Sequence, residues 1–146
     1  NWRKQQRARM RLDTSTVVLA HGCWDVFHYG HLMHLRAASL LGDYLVVAVT
    51  ANEYVNKGPD RPLFNEKQRM AIISELRCVD EVLVAKDSLD ALVKTKPDIF
   101  VKGREYEGKI EKKDADYCKK HGIAIAFTDE ETYSSTDIIN GRSGRS

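Results

Sequence analysis

Short apolar runs alternate along this chain with segments that carry helical signals. Each run has the length and the aliphatic or β-branched composition of a buried strand, and the runs cover residues 16–20, 44–50, 80–85, 98–102 and 123–127. The segments between and after them have helical signals and cover residues 32–41, 65–77, 88–94, 110–121 and 134–140. We expect Gly42 to end the first of these helices, Asn65 to cap the second with Gln68 at its third position, and Ser88 to cap the third. Because parallel strands need crossover connections of this kind, the alternation predicts a parallel sheet with helices on both faces.

The length of the chain fits one domain. Its 146 residues are enough for a real core, so we expect a single α/β domain with a Rossmann-like, doubly wound, five-stranded parallel sheet. We divide the sequence into a basic tail or linker at 1–13, the domain at 14–140 and a flexible stub at 141–146. The chain does not open with Met, which favours a piece of a longer protein.

Charge, hydropathy and cysteine spacing indicate which partners and which cellular compartment to expect. The formal net charge of +2 is too small to indicate nucleic acid, and we interpret the basic tail as solvated. No apolar run approaches the ~20 residues of a membrane span, so we expect no membrane partner. The three cysteines (Cys23, Cys78 and Cys118) have no CxxC spacing, which favours a reducing cytoplasm over a disulfide framework.

The stretch from Ala20 to His31 joins the first predicted strand to the first predicted helix. In a parallel sheet that junction lies at the carboxyl end of the strand, where such folds bind ligands. His28 and His31 are three residues apart, and Gly30 lets a ligand approach the backbone between them. Free N–H groups at a helix start favour phosphate, and imidazoles can add hydrogen bonds to it.

Two other interpretations of this stretch remain open. His28 and His31 could cap or pack the helix. The dense His and Cys residues could instead hold zinc, and they are His21, Cys23, His28, His31 and His34.

The motif His28-Tyr29-Gly30-His31, preceded by Gly22-Cys23-Trp24-Asp25, resembles the HxGH signature of the nucleotidyltransferase superfamily in its cytidylyltransferase-like branch. By pattern it is most similar to the heptose-1-phosphate adenylyltransferase domains of bacterial ADP-heptose synthesis. Further blocks occur in the expected order over residues 16–140, and they are Lys57-Gly58 with Arg61-Pro62, Glu66 to Arg69, Val101-Lys102-Gly103 with Tyr106, and Ser134-Ser135-Thr136 with Ile138-Ile139.

The resemblance implies transfer of a nucleotidyl group from a nucleoside triphosphate to a small phosphorylated acceptor, with release of pyrophosphate. It implies catalytic roles for His28, His31 and Lys57, with Lys57 on a loop that closes as a lid; the alternative is an ordinary solvated loop. The implied nucleotide-binding residues are Gly22, Cys23, Trp24, Asp25, Gly30, Arg61, Arg69, Lys102, Gly103, Tyr106, Ser134, Ser135 and Thr136.

Several of these residues have a second interpretation. Asp25 either helps hold Mg²⁺, the expected cofactor, or stabilises its loop as an Asx turn. Trp24 either shapes the acceptor pocket or packs, and Arg69 binds phosphate, anchors the lid or lies on the surface. Ser134 to Thr136 would cap a helix and cradle the β- and γ-phosphates from the side opposite the histidines.

ATP and a sugar 1-phosphate are the favoured substrates, because the chain lacks the Arg-Thr-x-Gly block of many cytidylyltransferases and has Asp129 to Tyr133 there instead. The alternatives are a CTP-dependent glycerol-3-phosphate or phospho-alcohol enzyme, an FMN adenylyltransferase, or a silent nucleotide-binding module of a larger protein. Similar proteins are commonly homodimers and are sometimes fused to a sugar-kinase domain.

Overall fold

The computed structural model describes residues 10–56 and 58–129. Its single sheet is parallel throughout, in the order β3-β2-β1-β4-β5. The strands are β1 (Val17–Gly22), β2 (Tyr44–Thr50), β3 (Glu81–Ala85), β4 (Ile99–Gly103) and β5 (Ala124–Thr128). The helices are α1 (Tyr29–Ser39), α2 (Glu66–Ser74), α3 (Ser88–Thr95) and α4 (Lys112–His121), with 3₁₀ turns at Asn52–Tyr54 and Arg104–Tyr106.

Helices cover both faces of the sheet. Leu35 and Ala38 of α1 and Ile73 of α2 pack with one set of inward-facing strand residues. Leu92 of α3 and Cys118 of α4 pack with the alternate set on the opposite face. The predicted doubly wound, five-stranded α/β domain is therefore confirmed.

The start of α1 differs from its predicted position. This helix begins at Tyr29, three residues earlier than expected, because His28 caps it with its own ring. It ends at Ser39, and Gly42 is not its cap. Gly42 instead passes so close to Thr16 that a Cβ atom would lie 2.6 Å from the Thr16 carbonyl oxygen.

Two other caps show one prediction confirmed and one wrong. Asn65 and Gln68 form the expected capping box of α2. Asp87, not Ser88, caps α3, because its carboxylate accepts the N–H of Asp90 at 2.8 Å. Ser88 donates to Asp114 of α4 instead. The predicted last helix lies outside the described residues.

The central strand, β1, forms the switch point of the sheet. It pairs with β2 on one side and β4 on the other, and the chain order reverses there. Doubly wound folds bind ligands beyond the carboxyl ends of the strands at such a point. β1 is longer than predicted, so His21 and Gly22 belong to the strand. Of the helices that the structure describes, none is long and apolar enough to cross a membrane.

Candidate functional site

His28 and His31 form a reciprocal cap at the start of α1. Nδ1 of His28 accepts the N–H of Gly30 at 3.0 Å, and Nδ1 of His31 accepts the N–H of His28 at 3.2 Å. The two rings stack with their centroids 3.8 Å apart. His28 is exposed and His31 is partly exposed, so neither ring is buried in the hydrophobic core.

This cap fixes the tautomer of both neutral rings. A nitrogen that accepts a backbone N–H carries no proton, so the proton of each neutral imidazole lies on Nε2. A Cβ atom on Gly30 would lie 2.8 Å from Cε1 of His28, so glycine suits this close approach. Capping, one of the two open interpretations, is therefore what the structure shows for the Nδ1 atoms of both rings.

Trp24 lies beneath His31. Its side chain is buried at 7% exposure, and its Nε1–H donates to the carbonyl of Ala48 at 3.0 Å. The ring meets His31 edge-on, with centroids 5.4 Å apart. A Cβ atom on Gly22 would lie 3.0 Å from the indole, so glycine is needed for this close approach. Of the two interpretations of Trp24, the structure shows the packing one: the indole supports the histidine loop from inside.

The same loop is held in an unusual backbone conformation. Trp24 and Val26 have φ values of 57° and 54°, in the left-handed region that residues with side chains rarely adopt. Such conformations persist where surrounding contacts over-determine them, and they are common at ligand-binding loops.

Asp25 joins the histidine loop to the loop before α2. Its carboxylate accepts hydrogen bonds from Arg61 Nε at 2.8 Å and from the N–H groups of Leu63 and Phe64 at 2.8 and 3.0 Å. Burial alone would raise the pKa of this carboxyl, but the two backbone N–H groups and Arg61 outweigh it and lower the pKa to about 2. Asp25 is therefore ionised and engaged on both oxygens.

Arg69 of α2 is buried at 1% exposure, so the surface interpretation of this residue is wrong. Its guanidinium donates to the carbonyl of Phe64 at 2.9 Å, to that of Cys23 at 2.8 Å and to the side-chain oxygen of Asn52 at 2.8 Å. Arg69 thus connects the loops that follow β1 and β2 with the loop before α2. This geometry matches the lid-anchoring role.

The residues at this site do not form a protein cage for a metal. No group of three His, Cys, Asp or Glu side chains that could hold an ion occurs among residues 10–56 and 58–129. Asp25, the predicted Mg²⁺ ligand, already accepts three protein hydrogen bonds. The donor set therefore does not fit a resident Mg²⁺, and the His and Cys residues of the histidine stretch do not converge as a zinc site would.

Lys102, Gly103 and Tyr106 lie together at the carboxyl end of β4. The ammonium of Lys102 lies 4.4 Å from the centroid of the Tyr106 ring and 5.8 Å from that of Phe100. Burial lowers the pKa of Lys102, since its charge is partly removed from water. Gly103 lies under Glu105, whose carboxylate leaves no room for a Cβ atom.

Two histidines near the site, the half-buried His21 and the buried His34, were not predicted as functional. His21 lies 3.2 Å from the hydroxyl of Thr50, and burial lowers its pKa to about 4. His34 lies 2.6 Å from the hydroxyl of Thr128, and burial lowers its pKa to about 4 as well. Both rings are therefore neutral at pH 7. The alternation of strand side chains could have placed His21, whereas the contact of His34 joins positions 94 residues apart.

Two parts of the predicted site, Lys57 and the segment Ser134 to Thr136, fall outside the described residues, so their placement stays a prediction. A groove of about 440 Å³ lies between α2 and the amino end of β3, and no predicted site residue lines it. We assign the site to the carboxyl edge of the sheet, where the predicted residues meet, and not to that groove.

Comparison with known proteins connects this arrangement to one family. Residues 19–141 match the family described as cytidylyltransferase-like. The lipopolysaccharide core biosynthesis protein from Thermoplasma volcanium GSS1 has a crystal structure similar to this one, with a TM-score of 0.66 and 31% sequence identity. The match covers 82% of this chain and 99% of that chain.

Longer proteins also match. The bifunctional protein HldE of Helicobacter pylori strain P12 is 36% identical over 139 residues, which are 88% of this chain and 28% of that protein. HldE of Aeromonas hydrophila subsp. hydrophila is 37% identical over 138 residues, which are 92% of this chain and 29% of that protein. This chain thus spans less than a third of the length of these curated relatives.

Proposed function

Since this chain belongs to the cytidylyltransferase-like family and is a nucleotidyltransferase, we propose that it transfers an adenylyl group from ATP to a sugar 1-phosphate. An oxygen of the acceptor phosphate attacks the α-phosphorus of the nucleotide and forms a new P–O bond. The bond from that phosphorus to the α–β bridging oxygen breaks, and pyrophosphate leaves with the electron pair. The product is a nucleoside-diphosphate sugar.

The protein needs little covalent chemistry for this reaction. It has to align attacking and leaving groups and to supply donors where negative charge develops on the phosphates. His28 and His31 suit that task, because the helix cap holds both rings at the start of α1 through their Nδ1 atoms and so puts the proton of each neutral ring on Nε2. This reciprocal cap is the observation that carries the proposal.

The choice of ATP and of a sugar phosphate rests on the relatives. HldE is bifunctional by name, and its adenylyltransferase part is the one this chain matches. Because the chain spans only part of such proteins, fusion to a kinase domain is part of the proposal. Nucleoside triphosphates and sugar phosphates are cytoplasmic metabolites, so we place the reaction in the cytoplasm.

Three further roles belong to the proposal. Mg²⁺ enters as part of the nucleotide substrate, because Mg²⁺ prefers phosphate oxygens and water to a dedicated protein cage. Lys57 closes over the polyphosphate from the loop that Asp25 and Arg69 anchor. Ser134, Ser135 and Thr136 hold the β- and γ-phosphates.

A substrate screen tests the function. Pyrophosphate release is measured with ATP, CTP, GTP and UTP, each against a panel of sugar phosphates, glycerol 3-phosphate, choline phosphate and FMN. We expect release with ATP and a sugar 1-phosphate, and we expect EDTA to stop it. Release with CTP and glycerol 3-phosphate alone, or with ATP and FMN alone, would replace the substrate assignment. Nucleotide binding without release for any pair would indicate a silent module.

The histidine assignment is tested with His31→Ala. Loss of one preorganised donor to the transition state lowers kcat by roughly 10²-fold or more. His121→Ala is the matched control, because His121 is an exposed residue at the end of α4. Wild-type turnover in the His31→Ala enzyme would refute the role.

A further inference from the structure

Three neighbouring strands carry a polar residue at their last or next-to-last position, on the same face of the sheet. Side chains alternate along a strand, and Leu19, Ala48 and Phe100 all belong to the cluster under α3 and α4. Two residues further along each strand come His21 of β1, Thr50 of β2 and Lys102 of β4. These three residues, which we call the polar row, lie on three neighbouring strands near their carboxyl ends; His21 is level with Ala48 of β2, so Thr50 lies two residues further along its strand.

Two members of the polar row hold hydrogen-bonding groups that the described protein does not use, whereas the Thr50 hydroxyl donates to the carbonyl of Gly22 at 3.2 Å and lies 3.2 Å from Nε2 of His21. The ammonium of Lys102 contacts two aromatic rings but has no carboxylate or other acceptor within hydrogen-bond distance in residues 10–56 and 58–129. His21 uses Nε2 toward Thr50, and within the same residues its Nδ1 has no partner. A half-buried ammonium and a neutral imidazole with an open nitrogen together suit a ligand that carries both an anion and hydroxyl groups.

The acidic side chains around Lys102 do not form ion pairs with it. The acidic groups that face this side of the sheet are Asp87 and Asp90 of the α3 start, Asp114 and Glu111 of the α4 start, and Glu105. Asp87 is paired with Lys113 at 2.9 Å, and Asp90 with Lys94 at 3.0 Å. None of the five forms an ion pair with Lys102.

The histidine cap and the polar row lie on opposite sides of β1. The cap starts α1, which packs on the face shared with α2, whereas the polar row lies on the face of α3 and α4. In-line displacement requires the attacking oxygen and the leaving pyrophosphate to lie on opposite sides of the α-phosphorus. If the histidines hold the leaving phosphates, the attacking phosphate arrives from the side of the polar row.

We therefore propose that His21, Thr50 and Lys102 form the acceptor subsite, in which Lys102 binds the phosphate of the acceptor and His21 and Thr50 bind its hydroxyl groups. This inference rests on the proposed function and assigns Lys102 to the acceptor, whereas the sequence assigns it to the nucleotide. The ligand class is a phosphorylated polyol or sugar. A phosphate ester without hydroxyl groups would leave His21 and Thr50 unused.

The test asks whether substitutions in the polar row raise the KM for the acceptor without raising the KM for the nucleotide. KM for the acceptor and KM for the nucleotide are measured separately in the wild-type chain and in His21→Ala, Thr50→Val and Lys102→Met, with the substrate pair from the screen. A neutral hydrogen bond corresponds to roughly 3- to 10-fold in affinity, and one to a charged group to roughly 10- to 100-fold. We expect the acceptor KM to rise by about these factors, while the nucleotide KM changes by less than about 2-fold.

Controls and a second probe make the result specific. His121→Ala and Lys119→Met remove the same side-chain types from the exposed end of α4 and should leave both constants unchanged. His21→Gln keeps a hydrogen-bonding side chain and should recover part of the acceptor affinity. Inorganic phosphate should inhibit the wild-type chain competitively with the acceptor, and this inhibition should weaken in Lys102→Met. Thr50→Val is nearly isosteric, so it keeps the test valid if another variant does not fold.

The outcomes separate the two proposals. A folded wild-type chain that releases pyrophosphate with no substrate pair contradicts the proposed function, and the subsite falls with it. An active wild type whose variants raise the nucleotide KM, and not the acceptor KM, contradicts the subsite alone. Unchanged constants in all three variants would also overturn the subsite.

Discussion

Asp25 lies in the loop that carries the two histidines, and its carboxylate accepts hydrogen bonds from a different loop. The sequence offers it as a metal or phosphate ligand, but the structure engages both of its oxygens with Arg61, Leu63 and Phe64. Asp25 thus holds the loop before α2 in place, a role that needs no contact with a substrate. The effect of Asp25 should therefore be measured first as a change in the free energy of unfolding.

We expect Asp25→Asn to lower the free energy of unfolding by about 2 kcal/mol at pH 7, because a buried carboxylate loses charged hydrogen bonds. The pKa of Asp25 is lowered from 3.8 to about 2, so its stabilisation is complete above pH 3.8 and is lost as the pH falls through 2. Urea unfolding at pH 7 and pH 2 measures the difference, which should shrink at the lower pH.

Asp60→Asn provides the control for that measurement, because Asp60 is an exposed residue of the same loop. Equal stability of the Asp25→Asn and Asp60→Asn chains at pH 7 would show that the Asp25 network does not stabilise the loop.

At the scale of elements, β5 is tied to α1 through a buried contact. His34 of α1 lies 2.6 Å from the hydroxyl of Thr128, the last residue of β5. The His34 ring also stacks on Trp24, with centroids 6.0 Å apart. The chain reaches Ser134 six residues beyond Thr128, so this contact fixes the point from which the predicted phosphate-binding segment departs.

We predict that Thr128→Val lowers the free energy of unfolding by about 1 kcal/mol, the usual value of one net hydrogen bond. Hydrogen exchange of the β5 amides should accelerate more than that of the central β2 amides. A double-mutant cycle with His34→Phe should give a coupling of about 1 kcal/mol, because both variants remove the same contact.

Thr95→Val is the matched control for that variant. The Thr95 hydroxyl is buried and has no hydrogen-bond partner within residues 10–56 and 58–129, so its removal should be neutral or stabilising. If Thr95→Val cost as much as Thr128→Val, the loss would come from repacking and not from the contact with His34.

The sequence allowed the order of elements to be predicted, because each strand and helix carries its own local signal. Asn65 and Gln68, three residues apart, predicted the α2 cap correctly for that reason. The partners of Asp25, Arg69 and His34 were beyond prediction, since each contact joins segments that are distant in sequence. The register of a strand relative to its neighbours, which places Lys102 beside His21, is likewise a property of the folded sheet.

For the whole molecule, two histidines that are neutral when the chain is folded make its stability depend on pH in the acid range. The pKa values of His21 and His34 are lowered from 6.5 to about 4, so the unfolded chain binds more protons between these values. Stability is therefore full above pH 6.5 and is lost as the pH falls toward 4. The raised pKa of Asp114, a consequence of burial, acts in the opposite direction above pH 3.8.

We expect the free energy of unfolding to decrease from pH 7 to pH 5 by about 1 to 2 kcal/mol for each of the two histidines. Urea titrations at several pH values measure this slope. His34→Phe should reduce the slope by the share of one histidine, whereas His121→Phe should leave it unchanged. A pH-independent stability over this range would contradict the burial of neutral rings.

The central position of β1 has a consequence for how this enzyme could change. Successive residues of one strand point to opposite faces of the sheet, so His21 and its neighbours across the sheet can be exchanged while Gly22 and the histidine loop stay intact. Laboratory evolution toward a new sugar could therefore begin with a small library at positions 21, 50 and 102. Insertion of one residue into β1 would instead move each later side chain of that strand to the other face of the sheet. We expect such a chain to lose binding of the nucleotide and of the acceptor together.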